Sequence, residues 1–410
     1  MKTWLTYLAA VALALAATLL MGQNATFSTI TTDVMVFFEQ IGMCILFLLV
    51  ACSFTSGIAS IRKDDKLKKV IGTTILWALV STIVTSFVGV AVFKFLPTKF
   101  PVTSSTGSDA SFIASYPIDT STLGSMFSNP MSLLTFSFLP AIMLVCFIVG
   151  YFMKPNVEVI RPAYVVMNSF SELMFRLSRA FTLISYFFVF FAASSFFSTL
   201  WQEGSIFVAG RFLVMLVASC LVAILGILPL LFAIFTRFKT NPYQIIYRNV
   251  ASLAVGLFTG DIMLSVVLNE PMSRHNLGCQ KRIGATTIPT FALIGRGGSA
   301  MLSTLCCLSL IYAVDAASAT PLVMVLVALA CALTSFCSSL HLGYEVFLVT
   351  VLSFRLLGIN LYGVEVSLIS LLPLLNGMGV MVDNLIASMG CVYVTQNLGV
   401  RVPTPYREIL

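Results

Sequence analysis

The chain runs to 410 residues, of which 59% are hydrophobic and only 10% charged, against roughly 45–50% and about 25% in an average soluble domain. At a mean hydropathy of +1.00 the apolar residues cannot all enter one water-bounded core, so most must face lipid or other helices, and a soluble globular protein is excluded. The net charge of +7 is spread over short loops and forms no single stripe, which argues against nucleic acid as a partner and for cations that set membrane topology.

In chain order, residues 4–21 form one apolar run of membrane length behind Lys2. A signal peptide stays open here, but the run lacks a clear small-residue cleavage site, and the later loops favour a first span with a cytoplasmic N-terminus. Residues 34–61 make a second span. The stretch Arg62-Lys63-Asp64-Asp65-Lys66-Leu67-Lys68-Lys69 follows, with five cations in eight residues, and should be a cytoplasmic loop. After a third span over 70–95, the segment 97–130 is rich in Ser, Thr, Gly and Pro with no Lys or Arg beyond Lys99, so it should face outward. Spans four (131–152), five (163–197) and six (206–235) alternate with loops carrying Lys154 and Arg161, then Arg237, Lys239 and Arg248. Each cluster is read as a solvated loop end, and Arg176 and Arg179 as interfacial anchors. The ten cysteines fall almost entirely in apolar runs with no zinc spacing, as reduced packing residues do.

Beyond Asn249 the apolar segments shorten and are interrupted by Gly, Pro and ionisable residues. Asp261, Glu270, His275, Arg296, His341, Glu345 and Asp383 all lie in or beside stretches that otherwise read as membrane-embedded. In lipid each such charge costs at least roughly 2.5–3.5 kcal/mol, so these side chains should face protein or a water-filled cavity. Short, broken hydrophobic segments in two places, 250–276 and 321–359, are what half-helices around a midplane transport site look like in sequence. There is no GxSxG, no HExxH and no pair of histidines one helical turn apart, so no enzyme is expected.

Several stretches carry a resemblance to a known family. Phe38-Glu39-Gln40-Ile41-Gly42-Met43 through Ser56-Gly57-Ile58-Ala59-Ser60, Asn129-Pro130 with Phe138-Leu139-Pro140, Leu228-Pro229-Leu230 with Asn241-Pro242-Tyr243, and Asn276-Leu277-Gly278 with Lys281-Arg282-Ile283 and Ile288-Pro289 together resemble the dicarboxylate/amino acid:cation symporters. The resemblance covers nearly the whole chain. It implies an all-α polytopic fold of eight transmembrane helices plus two re-entrant helical hairpins, a homotrimer embedded in lipid, and a multi-pass protein of the cell (inner) membrane. It also implies that one domain slides as an elevator against another. Scaffold spans one and two would occupy 1–69, span three of the transport domain 70–96, the extracytoplasmic loop 97–130, scaffold spans four and five 131–200, and span six 206–248. The transport core would follow over 249–399, with the first hairpin at 250–278, span seven at 283–314, the second hairpin at 321–359 and span eight at 364–397, and an exposed or cytoplasmic tail at 400–410.

The departures from the family pattern bear on function. Where the family has a serine-rich first hairpin tip, this chain has Gly260-Asp261-Ile262, without those hydroxyls. Where it has NMDGT in span seven, this chain has Gly295-Arg296-Gly297-Gly298-Ser299, whose glycines leave the backbone free to unwind while Arg296 takes the place of a methionine beside sodium. The second hairpin tip reads Leu340-His341-Leu342-Gly343-Tyr344-Glu345. In span eight, Asn376 falls where an aspartate holds the substrate amino group and Gly379 where an arginine reads an acidic side chain. Asp383 falls where an asparagine, and Ala387 where an aspartate, ligates sodium. The resemblance thus points to Gly260, Asp261, Ile262, Arg296, Ser299, Gly343, Asn376, Gly379 and Asp383 as substrate-binding, to Gly295, Arg296, Gly297, Asp383 and Ala387 around an ion, and to His341 and Glu345 as candidates for proton coupling.

Three roles for Arg296 stay open: a fork for a substrate carboxylate, a built-in cation in place of sodium that neutralises Asp383 or Asp261, or a structural ion pair or a position outside the cavity. His341 and Glu345 could equally lie exposed at the aqueous end of the second hairpin, and Arg274, Lys281 and Arg282 read as a cytoplasmic loop. The expected function is secondary active symport of small anionic or zwitterionic solutes, such as dicarboxylates or amino acids. No cofactor is expected beyond a coupling Na+ or H+, and sodium coupling should be altered or absent. The alternative is a transporter-like membrane protein that binds or senses without transporting, or conducts anions.

Overall fold

The structure is a computed structural model describing residues 3–22, 24–101, 139–202, 210–336, 344–359, 368–369, 371–402 and 404–405. Among the described residues every regular element is helical: α1 (Thr3–Met21), α2 (Ala25–Leu49), α3 (Thr55–Lys63), α4 (Leu67–Phe95), α5 (Leu139–Phe152), α6 (Arg161–Gln202), α7 (Gly210–Leu221), α8 (Leu228–Phe235), α9 (Pro242–Arg248), α10 (Val250–Thr259), α11 (Ile262–His275), α12 (Lys281–Ile294), α13 (Gly297–Val314), α14 (Pro321–Ser335), α15 (Glu345–Leu357) and α16 (Leu372–Asn397). One-turn π segments at Val50–Phe54 and Val222–Ile227 join α2 to α3 and α7 to α8 without ending the rods.

The helix ends follow local chemistry. Asn24, Asn241 and Thr320 accept from the first free backbone N–H groups of α2, α9 and α14, and Pro242 and Pro321 stand at first-turn positions where a missing N–H costs nothing. Gly260 and Gly358 close α10 and α15 in the left-handed conformation, at φ +64° and +66°.

Seven helical stretches among the described residues are long and apolar enough to cross a membrane. They are α1, α2–α3, α4, α6, α7–α8, α12–α13 and α16, and α5 is described only over Leu139–Phe152. Eight spans were expected. The fourth is the one that falls short, because residues 131–138 lie outside the described residues. Burial separates the stretches into inner and outer ones: in their most apolar windows 89% of α16 and 83% of α12–α13 is buried, against 22% of α1.

The expected boundaries shift in several places. The expected span seven, 283–314, runs as two helices that part at Gly295-Arg296, where the sequence leaves the backbone free to unwind; of the expected span eight, 364–397, α16 is described over Leu372–Asn397, with 364–367 and 370 outside the described residues. The basic loop is shorter than its sequence suggests, because only residues 64–66 separate α3 from α4 and Lys68 and Lys69 belong to the first turns of α4. Arg274, Lys281 and Arg282 are not free loop cations. Arg274 ends α11 while Lys281 and Arg282 open α12; Glu172 of α6 receives Arg274 at 3.3 Å and Lys281 at 3.0 Å, and Arg282 pairs with Asp64. Pairing with these carboxylates leaves the side chains only partly exposed, at 19–39%. The start of the tail is tied down as well, with Arg401 donating to the Leu277 carbonyl at 3.2 Å and to Thr240 at 2.9 Å.

Candidate functional site

Two chain interruptions and the starts of α15 and α16 meet in the buried part of the molecule. The first is the α10–α11 turn, a helical hairpin whose tip is Gly260-Asp261. Asp261, 8% exposed, caps α11 by accepting from Met263 N at 2.7 Å. A Cβ on Gly260 would come within 3.4 Å of Asn376 Cβ, and one on Gly377 would run into the Leu257 carbonyl. The hairpin tip therefore rests on the start of α16 through glycine contacts at Gly260 and Gly377.

The second interruption is the gap between α12 and α13, where Gly295 and Arg296 leave helical geometry. The N-terminus of α13 is capped by Asp383 of α16, whose Oδ1 accepts from Gly298 N at 2.6 Å and whose Oδ2 accepts from Ser299 Oγ at 2.8 Å. A carboxylate on free N–H groups at the positive end of a helix is favourable on both hydrogen-bonding and dipole grounds. Contact this close needs small residues, because a Cβ on Gly298 would strike the Gly379 carbonyl, and Gly379 lies against the Ser299 backbone. Thr85 of α4 closes the other side, donating to the Gly297 carbonyl at 2.9 Å.

Arg296 sits at this gap with 1% of its surface exposed. Its Nη1 lies 3.8 Å from Oε1 of Glu345, the first residue of α15, which is also 1% exposed. Asp261 and Asp383 are both within electrostatic reach of the guanidinium. Arg296 Nε and Nη1 and both Glu345 oxygens have no hydrogen-bond partner among the described residues. One permanent cation thus stands among three buried carboxylates, two of them capping helices and one unsatisfied.

Of the residues singled out from sequence, the structure brings Gly260, Asp261, Arg296, Gly297, Ser299, Glu345, Asn376, Gly379 and Asp383 into this one region. Asn376 Oδ1 accepts from Val346 N at 3.2 Å, which ties α16 to the start of α15. Glu345 is buried, so its expected alternative place at an aqueous end is not where it lies. Ile262 is an apolar core residue at 2% exposure, and Ala387, at 4%, offers an ion no side-chain oxygen. His341 and Gly343 lie outside the described residues.

Other residues of this region were not singled out. Thr74, Ser81, Thr82, Thr85 and Ser86 form a buried hydroxyl stripe on α4; their three- and four-residue spacing in an otherwise apolar span was the available signal. Beside the first hairpin Asn249, Asn269, Asn384 and Ser388 form a buried amide and hydroxyl network, with Asn249 Nδ2 donating to Asn269 at 3.0 Å and to Ser388 at 2.6 Å. Glu39 of α2 is within electrostatic reach of Asp261 across the seam where Gly42 meets Leu264. Glu270, which the sequence did mark as an ionisable group in an apolar stretch, is fully buried, with Ser53 beside it and neither oxygen in hydrogen-bonding geometry with any described residue.

Comparison with family models matches residues 4–397 to the one described as the sodium:dicarboxylate symporter family. Among curated proteins nothing matches the chain.

Proposed function

The chain belongs to the sodium:dicarboxylate symporter family and is therefore an integral membrane protein that transports solutes, and from that premise we propose that it carries small anionic or zwitterionic solutes, dicarboxylates or amino acids, without sodium. In this reading Arg296 is the resident cation where relatives use a sodium ion. The substrate lies against Arg296, Ser299, Asn376 and Asp383 between the two hairpins. Segment 249–399, together with 70–96 and 206–248, moves as an elevator against a scaffold of 1–69 and 131–200, and three copies assemble in the cell membrane with their N-termini in the cytoplasm.

The observation that carries the reading is the buried guanidinium at the α12–α13 gap, 3.8 Å from Glu345 and within reach of Asp261 and Asp383. A guanidinium cannot shed its charge in a protein, and it leaves little reason for a second cation to bind beside it. Ala387 supports the same reading, since a methyl group cannot ligate sodium. Glu345 is the candidate proton carrier, supported by its burial and by two oxygens without a hydrogen-bond partner among the described residues.

The test is uptake of labelled glutamate, aspartate, neutral amino acids and C4-dicarboxylates into proteoliposomes, with a sodium gradient and with sodium replaced on both sides. Uptake of at least one compound should be equal in the two conditions, and Arg296→Met should lower it about tenfold or more or make it require sodium. Sodium-stimulated uptake by the unmodified chain would overturn the resident-cation role.

A further inference from the structure

A cavity of about 400 Å³ lies between α3, α4, α5 and α12, away from the site just described. Phe54, Ile58, Ile75, Leu144, Phe147 and Leu293 contribute to an almost wholly apolar wall. Two of these wall residues are also exposed, Ile75 at 42% and Leu144 at 57%, so the cavity opens sideways between α4 and α5. Both helices belong to membrane-embedded apolar segments, and that opening faces lipid, not water. An apolar space of this size stays dry and lies within the range of ordinary ligand sites.

One end of the cavity is lined by Ile61, Leu67 and Val70, the residues that bracket the basic turn between α3 and α4. Here Arg62 lies over the Tyr151 ring at 3.9 Å, and Tyr151 stacks on the wall residue Phe147. The Arg62 Nη1 atom is buried and has no hydrogen-bond partner among the described residues. A buried charged donor without an acceptor is costly, which points to an acceptor arriving from outside the chain. Lys66 stands at the same end, lining a small adjoining pocket with Arg282. The other charges there are already engaged or turned to solvent: Asp64 pairs with Arg282, Lys69 donates to the Asn397 carbonyl at 3.1 Å, and Lys63, Asp65 and Lys68 are exposed.

We propose that this cleft is a binding site for one anionic phospholipid, with an acyl chain in the cavity between α4 and α5 and the phosphate held by Arg62 and Lys66. Charge complementarity selects the occupant: a fatty tail alone would leave the Arg62 donor unmet, while a free anion would leave the apolar cavity empty. Basic residues at the membrane surface favour acidic headgroups by about 1 kcal/mol each, roughly fivefold in affinity. On the proposed division of the chain, α3 and α5 belong to the scaffold and α4 and α12 to the moving part, so a lipid wedged here would resist sliding. That consequence rests on the elevator reading, whereas binding itself does not.

The experiment uses the full chain, purified in micelles containing equal amounts of phosphatidylglycerol and phosphatidylcholine, with retained lipid counted by native mass spectrometry. One phosphatidylglycerol per chain should be retained over phosphatidylcholine by about fivefold or more. Arg62→Gln should cut that preference about fivefold. Should loss of the Tyr151 stacking prevent Arg62→Gln from folding, Lys66→Gln, at the half-buried start of α4, should lower the preference in the same direction. Thr290→Trp and Leu144→Trp, which fill the cavity and its mouth, should abolish retention of both lipids. Equal retention of the two lipids, or retention of phosphatidylglycerol undiminished in both tryptophan variants, would overturn the proposal.

Discussion

Asp383 and Glu270 are both buried carboxylates, yet their surroundings give them opposite energetic meanings. Asp383 accepts from Gly298 N and Ser299 Oγ, so Asp383→Ala orphans two donors at a helix N-terminus and should destabilise the protein by about 1–3 kcal/mol. Glu270 has no hydrogen-bond partner among the described residues; Glu270→Gln removes a buried carboxyl and the cost of desolvating it and should leave stability unchanged or raised. Thermal unfolding of the two variants in one detergent checks both signs. A destabilised Glu270→Gln would show that its charge is paired in the folded protein. Sequence marked both positions as ionisable groups in apolar surroundings, but it could not tell them apart, because what differs is a contact with α13, more than 80 residues away along the chain for Asp383.

At the scale of elements, the broken seventh span was legible in advance. Three glycines around Arg296 lower the cost of leaving the helix, and α12 and α13 part at that point. What keeps α13 in register is its close approach to α16 at Gly298 and Gly379. A methyl group at Gly298 would press on the Gly379 carbonyl and lie 2.7 Å from Val382 Cβ, so Gly298→Ala should cost about 1–3 kcal/mol through overpacking. A lowered melting temperature with membrane insertion retained is the expected result. The π segment at Val50–Phe54 had no sequence signal. Insertion of an extra residue in a turn depends on what the neighbouring helices demand, and there α2–α3 meets α5, α6 and α12 together.

For the molecule as a whole, the apolar exposure of the outer helices is the feature that remains unabsorbed. Leu13 and Leu19 on α1, Leu173 and Ile184 on α6, and Leu144 and Val145 on α5 are all large side chains more than 40% exposed. Lipid accounts for such exposure in any membrane protein, and the proposed trimer would cover part of it. Light scattering of the purified protein, corrected for detergent, should give three times the 44.5 kDa chain mass. A single-chain mass in several mild detergents would remove the trimer from the proposal and leave lipid as the only cover.

The amino-acid chain, read alone, already specifies a polytopic helical membrane protein with an interrupted C-terminal half. Hydropathy, loop cations and helix-breaking residues act locally, and a bilayer admits few backbone solutions. It also identified Arg296, Asp261, Glu345 and Asp383 as charges needing an explanation, since the cost of an ionised group in lipid does not depend on the fold. Helix packing was needed to show that Arg296 stands beside Glu345, that Asp383 caps α13, that Glu270 has no hydrogen-bond partner among the described residues, and that a basic turn borders an apolar cavity. These facts depend on which helices pack side by side. That packing comes from shape and small-residue contacts between distant segments, which no local pattern in the chain records.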